Sequence, residues 1–134
     1  MKKKLILIAD DDPDFTRLLS LELQDHGYDV ITASTGREAV DSVNQYRPDL
    51  VILDYQMPEG DGVFVMSRLR AVLETFTIPI ILLTAYETRK LRREVFRLSA
   101  SFVISKPYKP ELLLEKIREI LGEEDLPSDS SLDR

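Results

Sequence analysis

Residues 48–58 of the chain read PDLVILDYQMP and contain the segment that most strongly decides the fold. Four apolar residues, Leu50 to Leu53, follow one another without the polar alternation of a half-exposed strand. A short apolar run rich in Val, Ile and Leu is typical of a strand that is buried on both faces of a parallel sheet. The run ends at Asp54, where such a strand would leave the core.

Four further short apolar runs occur, at residues 5–9, 28–33, 78–83 and 102–104, and longer amphipathic stretches separate them. The apolar face of the first stretch comprises Phe15, Leu18, Leu19 and Leu23, and that of the last comprises Leu113, Ile117, Ile120 and Leu121. A strand–helix unit that repeats five times predicts an α/β fold, a doubly wound five-stranded parallel sheet with helices on both faces. We expect the flavodoxin-like strand order 2-1-3-4-5.

The ends of two helices carry recognisable signals. Asp12-Pro13 favours a helix start, with Asp12 as the N-cap and Pro13 at the first helical position. Gly27 and Gly122 are expected to end the first and the last helix. We therefore assign residues 1–122 to one domain, and residues 123–134, which are acidic and rich in Ser, to a disordered tail or the start of a linker.

Composition excludes several function classes. The chain has no cysteine and one histidine, His26, which excludes thiolate chemistry and multi-histidine metal sites and fits a cytoplasmic protein. A net charge of −6 argues against direct nucleic-acid binding by this domain. No segment approaches the roughly 20 apolar residues of a membrane span, so we expect no membrane association.

Polar residues of distinctive type follow the predicted strands. Asp10 and Asp11 follow the first strand, Asp54 the third, Thr84 the fourth and Lys106 the fifth. Each residue alone is a common turn or cap residue, but the carboxyl ends of parallel strands meet at one edge of the sheet, where such folds bind ligands. Three converging carboxylates need a cation, and an oxygen-only cluster suits Mg²⁺.

These residue types also fit phosphoryl transfer. A carboxylate can act as a nucleophile and form an acyl phosphate. Transfer then needs positioning and neutralisation of the phosphoryl oxygens, for which the Lys106 ammonium, the Thr84 hydroxyl and Mg²⁺ are suited. Asp12 is expected to serve the helix cap rather than the site.

The sequence resembles the receiver domain of two-component response regulators, including the chemotaxis regulators, over residues 4–122. The segments that carry the resemblance are residues 5–11, residues 48–54 followed by Met57-Pro58 and Asp61-Gly62, residues 83–85, and Lys106-Pro107-Tyr108.

The resemblance implies Asp54 as the phosphoacceptor, with Thr84 and Lys106 as the phosphoryl-binding pair. It implies Mg²⁺ ligation by Asp11, by Asp10 mainly through water, by Asp54 and by the Gln56 carbonyl. It also implies a cis peptide at Lys106-Pro107. The implied partner is a sensor histidine kinase or phosphotransfer protein, and the implied output surface comprises the fourth helix, fifth strand and fifth helix. The chain would then be a switch that catalyses only its own phosphorylation and dephosphorylation.

Some positions depart from the family pattern. Val103 stands where the family usually has a Tyr or Phe, and Phe102 beside it should face the other side of the strand. Ser99 stands where Gly is frequent. Gln56 and Tyr86 occupy positions that set the phosphoryl lifetime in this family, and we expect bulky Tyr86 to shield the site from water.

Two other readings remain open. A receiver-like module could act by docking alone, without phosphorylation, and Val103 keeps that alternative in view. An aspartate-nucleophile phosphohydrolase would use Asp10 and Asp12, but it leaves the Asp54 segment unexplained.

Charges in the fourth and fifth helix regions are either ordinary solvated faces or an interface for a symmetric dimer or an acidic partner. They are Arg89, Lys90, Arg92, Arg93 and Arg97, and Glu111, Glu115 and Glu119.

Overall fold

The apolar run at residues 50–53 and the Asp54 that follows it form the central strand of a five-stranded sheet. The computed structural model describes residues 2–122, so the expected tail at residues 123–134 lies outside the described residues. The strands are β1 (Leu5–Ala9), β2 (Asp29–Ala33), β3 (Leu50–Asp54), β4 (Ile80–Thr84) and β5 (Phe102–Ser105). The helices are α1 (Pro13–Asp25), α2 (Gly36–Tyr46), α3 (Gly62–Arg70), α4 (Arg89–Leu98) and α5 (Pro110–Leu121).

The sheet has the predicted topology. All four strand pairings are parallel, and the order is β2-β1-β3-β4-β5. The pairing of Ala9 with Leu53 sets Asp10 and Asp54 level with each other at the carboxyl end of the sheet. The pairing of Thr84 with Ser105 does the same for the ends of β4 and β5.

Successive residues of each strand enter two different cores. In β3, Val51 and Leu53 pack on the side of α2, α3 and α4, whereas Leu50 and Ile52 pack on the side of α1 and α5. All four side chains are fully buried. Because both faces of the strand are covered, the run has no polar position, as expected for a parallel sheet with helices on both sides.

The helix signals are confirmed in most details. The Asp12 side chain caps α1 by accepting from the amides of Asp14 and Phe15, and Pro13 is its first residue. Gly122 is the C-cap of α5, in the left-handed region at φ 69°, and Gly27 follows the C-cap of α1 with φ 93°.

No helix within residues 2–122 combines the length and the apolar character that crossing a bilayer requires.

Three expectations are wrong. Leu18 is 61% exposed, because helical spacing puts it at the edge of the apolar face of α1 rather than at its centre. β2 begins at Asp29, since the Tyr28 amide still bonds the Leu23 carbonyl at the end of α1. β4 begins at Ile80, because the Ile78 amide closes a turn on Thr75 and Pro79 has no amide to donate.

Candidate functional site

Three carboxylates converge at the carboxyl end of the sheet. Asp10 and Asp11 follow β1, and Asp54 ends β3. One oxygen from each of the three lies within 4.8 Å of the others. Asp10 and Asp54 are buried, whereas Asp11 is exposed. The cluster is thus the one expected from the strand order, with one carboxylate facing solvent.

The local backbone orients the two buried carboxylates. Asp10 Oδ1 accepts from the Asp12 amide at 2.9 Å, and Asp54 Oδ2 accepts from the Gln56 amide at 3.2 Å. Asp10 Oδ2, in contrast, is buried and has no hydrogen-bond partner among residues 2–122. Burial raises the pKa of Asp10, and the charges of Asp54 and Asp11 raise it further, against the lowering by the Asp12 amide and Lys106.

The unpartnered oxygen of Asp10 is the observation that tests whether a cation fits. A buried acceptor without a donor is costly, and a cation that binds it removes that cost. The donors at the site are oxygens only, which is the set that Mg²⁺ prefers. Gln56 and Asp11 line the same shallow groove. The residues present therefore fit Mg²⁺.

Lys106 supplies a positive charge beside the carboxylates, although it is far from all three of them in the sequence. Its ammonium nitrogen lies 2.5 Å from Asp54 Oδ1 and 3.8 Å from Asp10 Oδ2. Burial lowers the pKa of Lys106, but the hydrogen bond to Asp54 and the charges of Asp54, Asp10 and Asp12 outweigh it, so the pKa is raised. The Lys106-Pro107 peptide is cis, as the resemblance implied.

Thr84 is close to the site, but its hydroxyl is engaged elsewhere. Thr84 is buried at the end of β4, and its carbonyl accepts from the Lys106 amide at 2.8 Å. Its Oγ1 donates to the Tyr86 carbonyl at 2.8 Å and accepts from the Tyr86 amide at 3.2 Å. Tyr86 itself is 75% exposed, so most of its surface is open to solvent.

The loop after β3 is held by close backbone contacts. The Gly62 amide donates to the Tyr55 carbonyl at 2.7 Å, and the Gly36 and Arg37 amides at the start of α2 donate to the carbonyls of Pro58 and Glu59. A Cβ at Gly36 would lie 2.1 Å from the Gly60 carbonyl oxygen, so only glycine permits this approach. These contacts fix the loop that carries Gln56.

Two aromatic residues beside the site were not singled out from the sequence. The Phe15 ring centroid lies 5.7 Å from the Lys106 ammonium. Burial, followed by the charges of Asp10, Glu22 and Asp54, raises the pKa of Tyr108 to about 12. The sequence places Phe15 only on the core face of α1 and Tyr108 only within a motif. Their positions near Asp10 depend on how α1 and α5 pack, which no local pattern reveals.

The arrangement of these residues matches a known family. A family model described as the response regulator receiver domain matches residues 6–118. The chain belongs to this receiver family. Receiver domains are components of two-component signalling, and the acidic cluster of this receiver fits magnesium binding.

Relatives and solved structures agree with this assignment. The transcriptional regulatory protein PhoP for alkaline phosphatase synthesis in Bacillus subtilis (strain 168) is 35% identical over 131 residues, which are 98% of this chain and 53% of that protein. The chain spans about half the length of such curated relatives. A CheY-like receiver domain protein of Methanospirillum hungatei JF-1 is 27% identical, with a TM-score of 0.84 over 90% of this chain and 95% of that chain.

A second solved structure bears on the metal. The receiver domain of the sensor histidine kinase PA1611 from Pseudomonas aeruginosa PAO1 has a magnesium ion coordinated in its active site cleft. It is 26% identical to this chain, with a TM-score of 0.81 over 91% of this chain and 100% of that chain.

The structure shows the surroundings of the residues that differ from the usual family pattern. Val103 packs against the core on the α4 side, and Phe102 packs against the core on the α5 side, so the neighbouring aromatic does not replace the missing one. Ser99 adopts the left-handed conformation at φ 58° that glycine adopts more readily.

Proposed function

We propose that this receiver domain accepts a phosphoryl group on Asp54 in a Mg²⁺-dependent reaction, with a sensor histidine kinase or phosphotransfer protein as the donor. The observation that carries the proposal is the Lys106 ammonium 2.5 Å from Asp54 Oδ1, beside the cluster of Asp10, Asp11 and Asp54. A carboxylate held between a fixed cation and a metal-binding cluster is suited to attack phosphorus while opposite charges receive the phosphoryl oxygens.

Each residue has a distinct part in this proposal. Asp54 supplies the oxygen that forms the new bond to phosphorus as the bond from phosphorus to the donor's histidine nitrogen breaks, and its other oxygen stays oriented by the Gln56 amide. Lys106 is placed to bind one phosphoryl oxygen, and the Thr84 hydroxyl a second. Asp10, Asp11, Asp54 and the Gln56 carbonyl would hold Mg²⁺. When bound, the ion supplies the positive charge that lets the carboxylates and the phosphoryl oxygens come together. Water would later attack the phosphorus at the same site and release inorganic phosphate and the free Asp54 carboxylate, so both reactions take place on this domain itself.

The phosphohydrolase alternative is less well supported. It needs Asp12 as an acid or base near the nucleophile, but Asp12 Oδ1 accepts from the amides of Asp14 and Phe15 and is exposed at the helix cap. A receiver that docks without phosphorylation is a separate alternative, which predicts no covalent adduct at all.

We also propose that phosphorylation alters the α4–β5–α5 face for partner binding or self-association. Phe96 on α4 is 87% exposed, and all five basic residues of the fourth helix are exposed around it. Glu111, Glu115 and Glu119 on α5 are exposed as well. Opposite charges on two helices favour a symmetric pairing. Charge reversal at Arg92 and Arg93 should abolish phosphorylation-dependent dimerisation in sedimentation velocity, and an unchanged dimer would exclude these residues from the interface.

We expect no nucleic-acid or membrane contact by this domain, and a cytoplasmic location.

The central test is phosphorylation by acetyl phosphate, with Mg²⁺ or with EDTA, followed by intact mass spectrometry. We expect one phosphoryl adduct that requires Mg²⁺ and is lost in Asp54→Asn. Asp12→Asn is the matched control, because asparagine also caps helices well and the adduct should remain. An adduct that persists in Asp54→Asn but disappears in Asp10→Asn would favour the phosphohydrolase reading. No adduct on the folded wild type would favour docking alone.

A further inference from the structure

The Thr84 hydroxyl cannot serve a phosphoryl group in the conformation described. A hydroxyl has one hydrogen to donate, and that of Thr84 is given to the Tyr86 carbonyl. Thr84 can donate to a phosphoryl oxygen only after it releases this carbonyl. Use of the hydroxyl therefore requires the Thr84 side chain to rotate away from Tyr86, which removes both of its hydrogen bonds to the turn at residues 84–86.

The next residue, Glu87, ties this turn to its surroundings. Ser105 Oγ donates to Glu87 Oε2 at 3.1 Å, and Arg92 Nε lies 3.9 Å from Glu87 Oε1. Ser105 is the last residue of β5 and directly precedes Lys106, whereas Arg92 belongs to α4. Glu87 thus connects the strand end beside the site with the helix of the proposed output face.

The strand register explains why Ser105 can reach this loop. Ser105 pairs with Thr84, so both side chains leave the sheet on the side of α4. Val103, two residues earlier, lies on the same face and packs in its core, but it has no polar group with which to hold the loop. On this face of β5, Ser105 makes the polar contact to the β4–α4 loop.

We propose that Ser105 and Glu87 are positioning residues for the reaction at Asp54. Their hydrogen bond stabilises the loop conformation in which the Thr84 hydroxyl is turned away from the site. This inference rests on the proposed function, because the competent conformation is the one that a phosphoryl group on Asp54 selects. Loss of the hydrogen bond shifts the population toward that conformation before any phosphoryl group is present.

The expected effect follows from the strength of one hydrogen bond between exposed groups. Removal of such a bond changes a conformational equilibrium roughly two- to ten-fold. Ser105→Ala should therefore bind a phosphoryl analogue more tightly by about that factor, since less of the binding free energy is spent on rearranging the loop.

The experiment uses the full chain and beryllofluoride, a phosphoryl analogue, titrated with Mg²⁺ and followed by amide NMR. We expect Ser105→Ala to bind beryllofluoride roughly two- to ten-fold more tightly than the wild type. Without Mg²⁺ and beryllofluoride, its amide signals at residues 84–88 should already lie part of the way toward the saturated wild-type positions. Ser105→Thr keeps the hydroxyl and should restore wild-type behaviour in both measurements.

A matched control and the opposing outcomes make the test decisive. Glu94→Gln weakens the ion pair between Glu94 and Arg97 within α4 but leaves the contacts of Glu87 intact. It should therefore change neither the affinity for beryllofluoride nor the amide positions at residues 84–88. If the wild type binds beryllofluoride and Ser105→Ala gives the same affinity and amide positions, the positioning role is refuted while the proposed function stands. If the wild type itself does not bind the analogue, the proposed function is refuted.

Discussion

Replacement of Asp10 by asparagine should stabilise the metal-free protein and remove most of its stabilisation by Mg²⁺. Asp10 is 4% exposed, and its Oδ1 accepts from the Asp12 amide, a bond that the asparagine oxygen can keep. Its Oδ2 has no hydrogen-bond partner within the described residues 2–122. The nearest ammonium, Lys106 Nζ, is 3.8 Å away and lies closer to Asp54. The substitution removes a buried negative charge but preserves the hydrogen bond that residue 10 accepts from the Asp12 amide.

The gain comes from removing a buried charge that the charges of Asp54 and Asp11 disfavour, since the amide that replaces the carboxylate is still a buried polar group. Since Lys106 compensates part of the charge, we expect Asp10→Asn to raise the free energy of unfolding by about 1–2 kcal/mol in EDTA at pH 7. The wild type gains stability from Mg²⁺ as RT ln(1 + [Mg²⁺]/Kd), about 2.7 kcal/mol when Mg²⁺ exceeds Kd 100-fold. The variant should gain much less, because it has lost a ligand charge.

The raised pKa of Asp10 also predicts how the effect of Asp10→Asn on stability depends on pH. The pKa of Asp10 is raised in the folded protein, mainly by burial, so the folded state holds this proton more tightly than the unfolded state. The penalty is therefore absent below the unfolded value of 3.8 and develops as pH rises through the folded pKa. The advantage of Asp10→Asn should shrink toward zero as pH falls below that unfolded value.

Urea unfolding followed by circular dichroism, with EDTA or with Mg²⁺ and across this pH range, measures all three effects. Asp12→Asn is the control, because that exposed residue caps α1 and asparagine caps almost as well, so its stability should stay within about 0.5 kcal/mol. If Asp10→Asn were less stable than the wild type in EDTA, or kept the full Mg²⁺ effect, the assignment of Asp10 Oδ2 to the metal site would be refuted.

Three further substitutions probe the frame around the site, each measured as a change in the free energy of urea unfolding. Ser99→Gly should stabilise by about 0.5–1 kcal/mol, because it relieves a left-handed residue at φ 58°. Arg70→Met should destabilise by about 2–3 kcal/mol, since the guanidinium donates to four backbone carbonyls, two in the α3–β4 segment and two at the end of α4. Gly36→Ala should destabilise by about 3 kcal/mol, because its Cβ would lie 2.1 Å from the Gly60 carbonyl oxygen.

Each of these substitutions has a matched control in the chain. Ser101→Gly, at a residue without positive φ, should lower stability rather than raise it. Arg68→Met removes only a guanidinium 4.8 Å from the Phe64 ring centroid and should cost less than about 1 kcal/mol. Asn44→Ala, on the exposed face of α2, should be close to neutral. A variant that behaves like its control would refute the contact invoked for it.

Much of the site could be predicted because the sheet converts sequence order into spatial order. Asp10 and Asp54 each follow an apolar strand, and the parallel pairing of β1 with β3 brings the two ends level. The roles of Thr84 and Lys106 were inferred from their residue types at the strand ends, whereas that of the Gln56 carbonyl came from the family resemblance alone. Their side-chain geometry agrees only in part, since the Thr84 hydroxyl bonds Tyr86.

The sequence by itself determined the strands, the helix caps and the doubly wound sheet, because these follow from apolar periodicity and from backbone groups within a few residues. Only the tertiary structure decided which side chains meet across long separations. The bond from Lys106 to Asp54 spans 52 residues, the bond from Arg70 to Ser99 spans 29, and that from Ser105 to Glu87 spans 18. Such contacts depend on how packed elements set the distances and directions of side chains, which no local pattern of residues encodes.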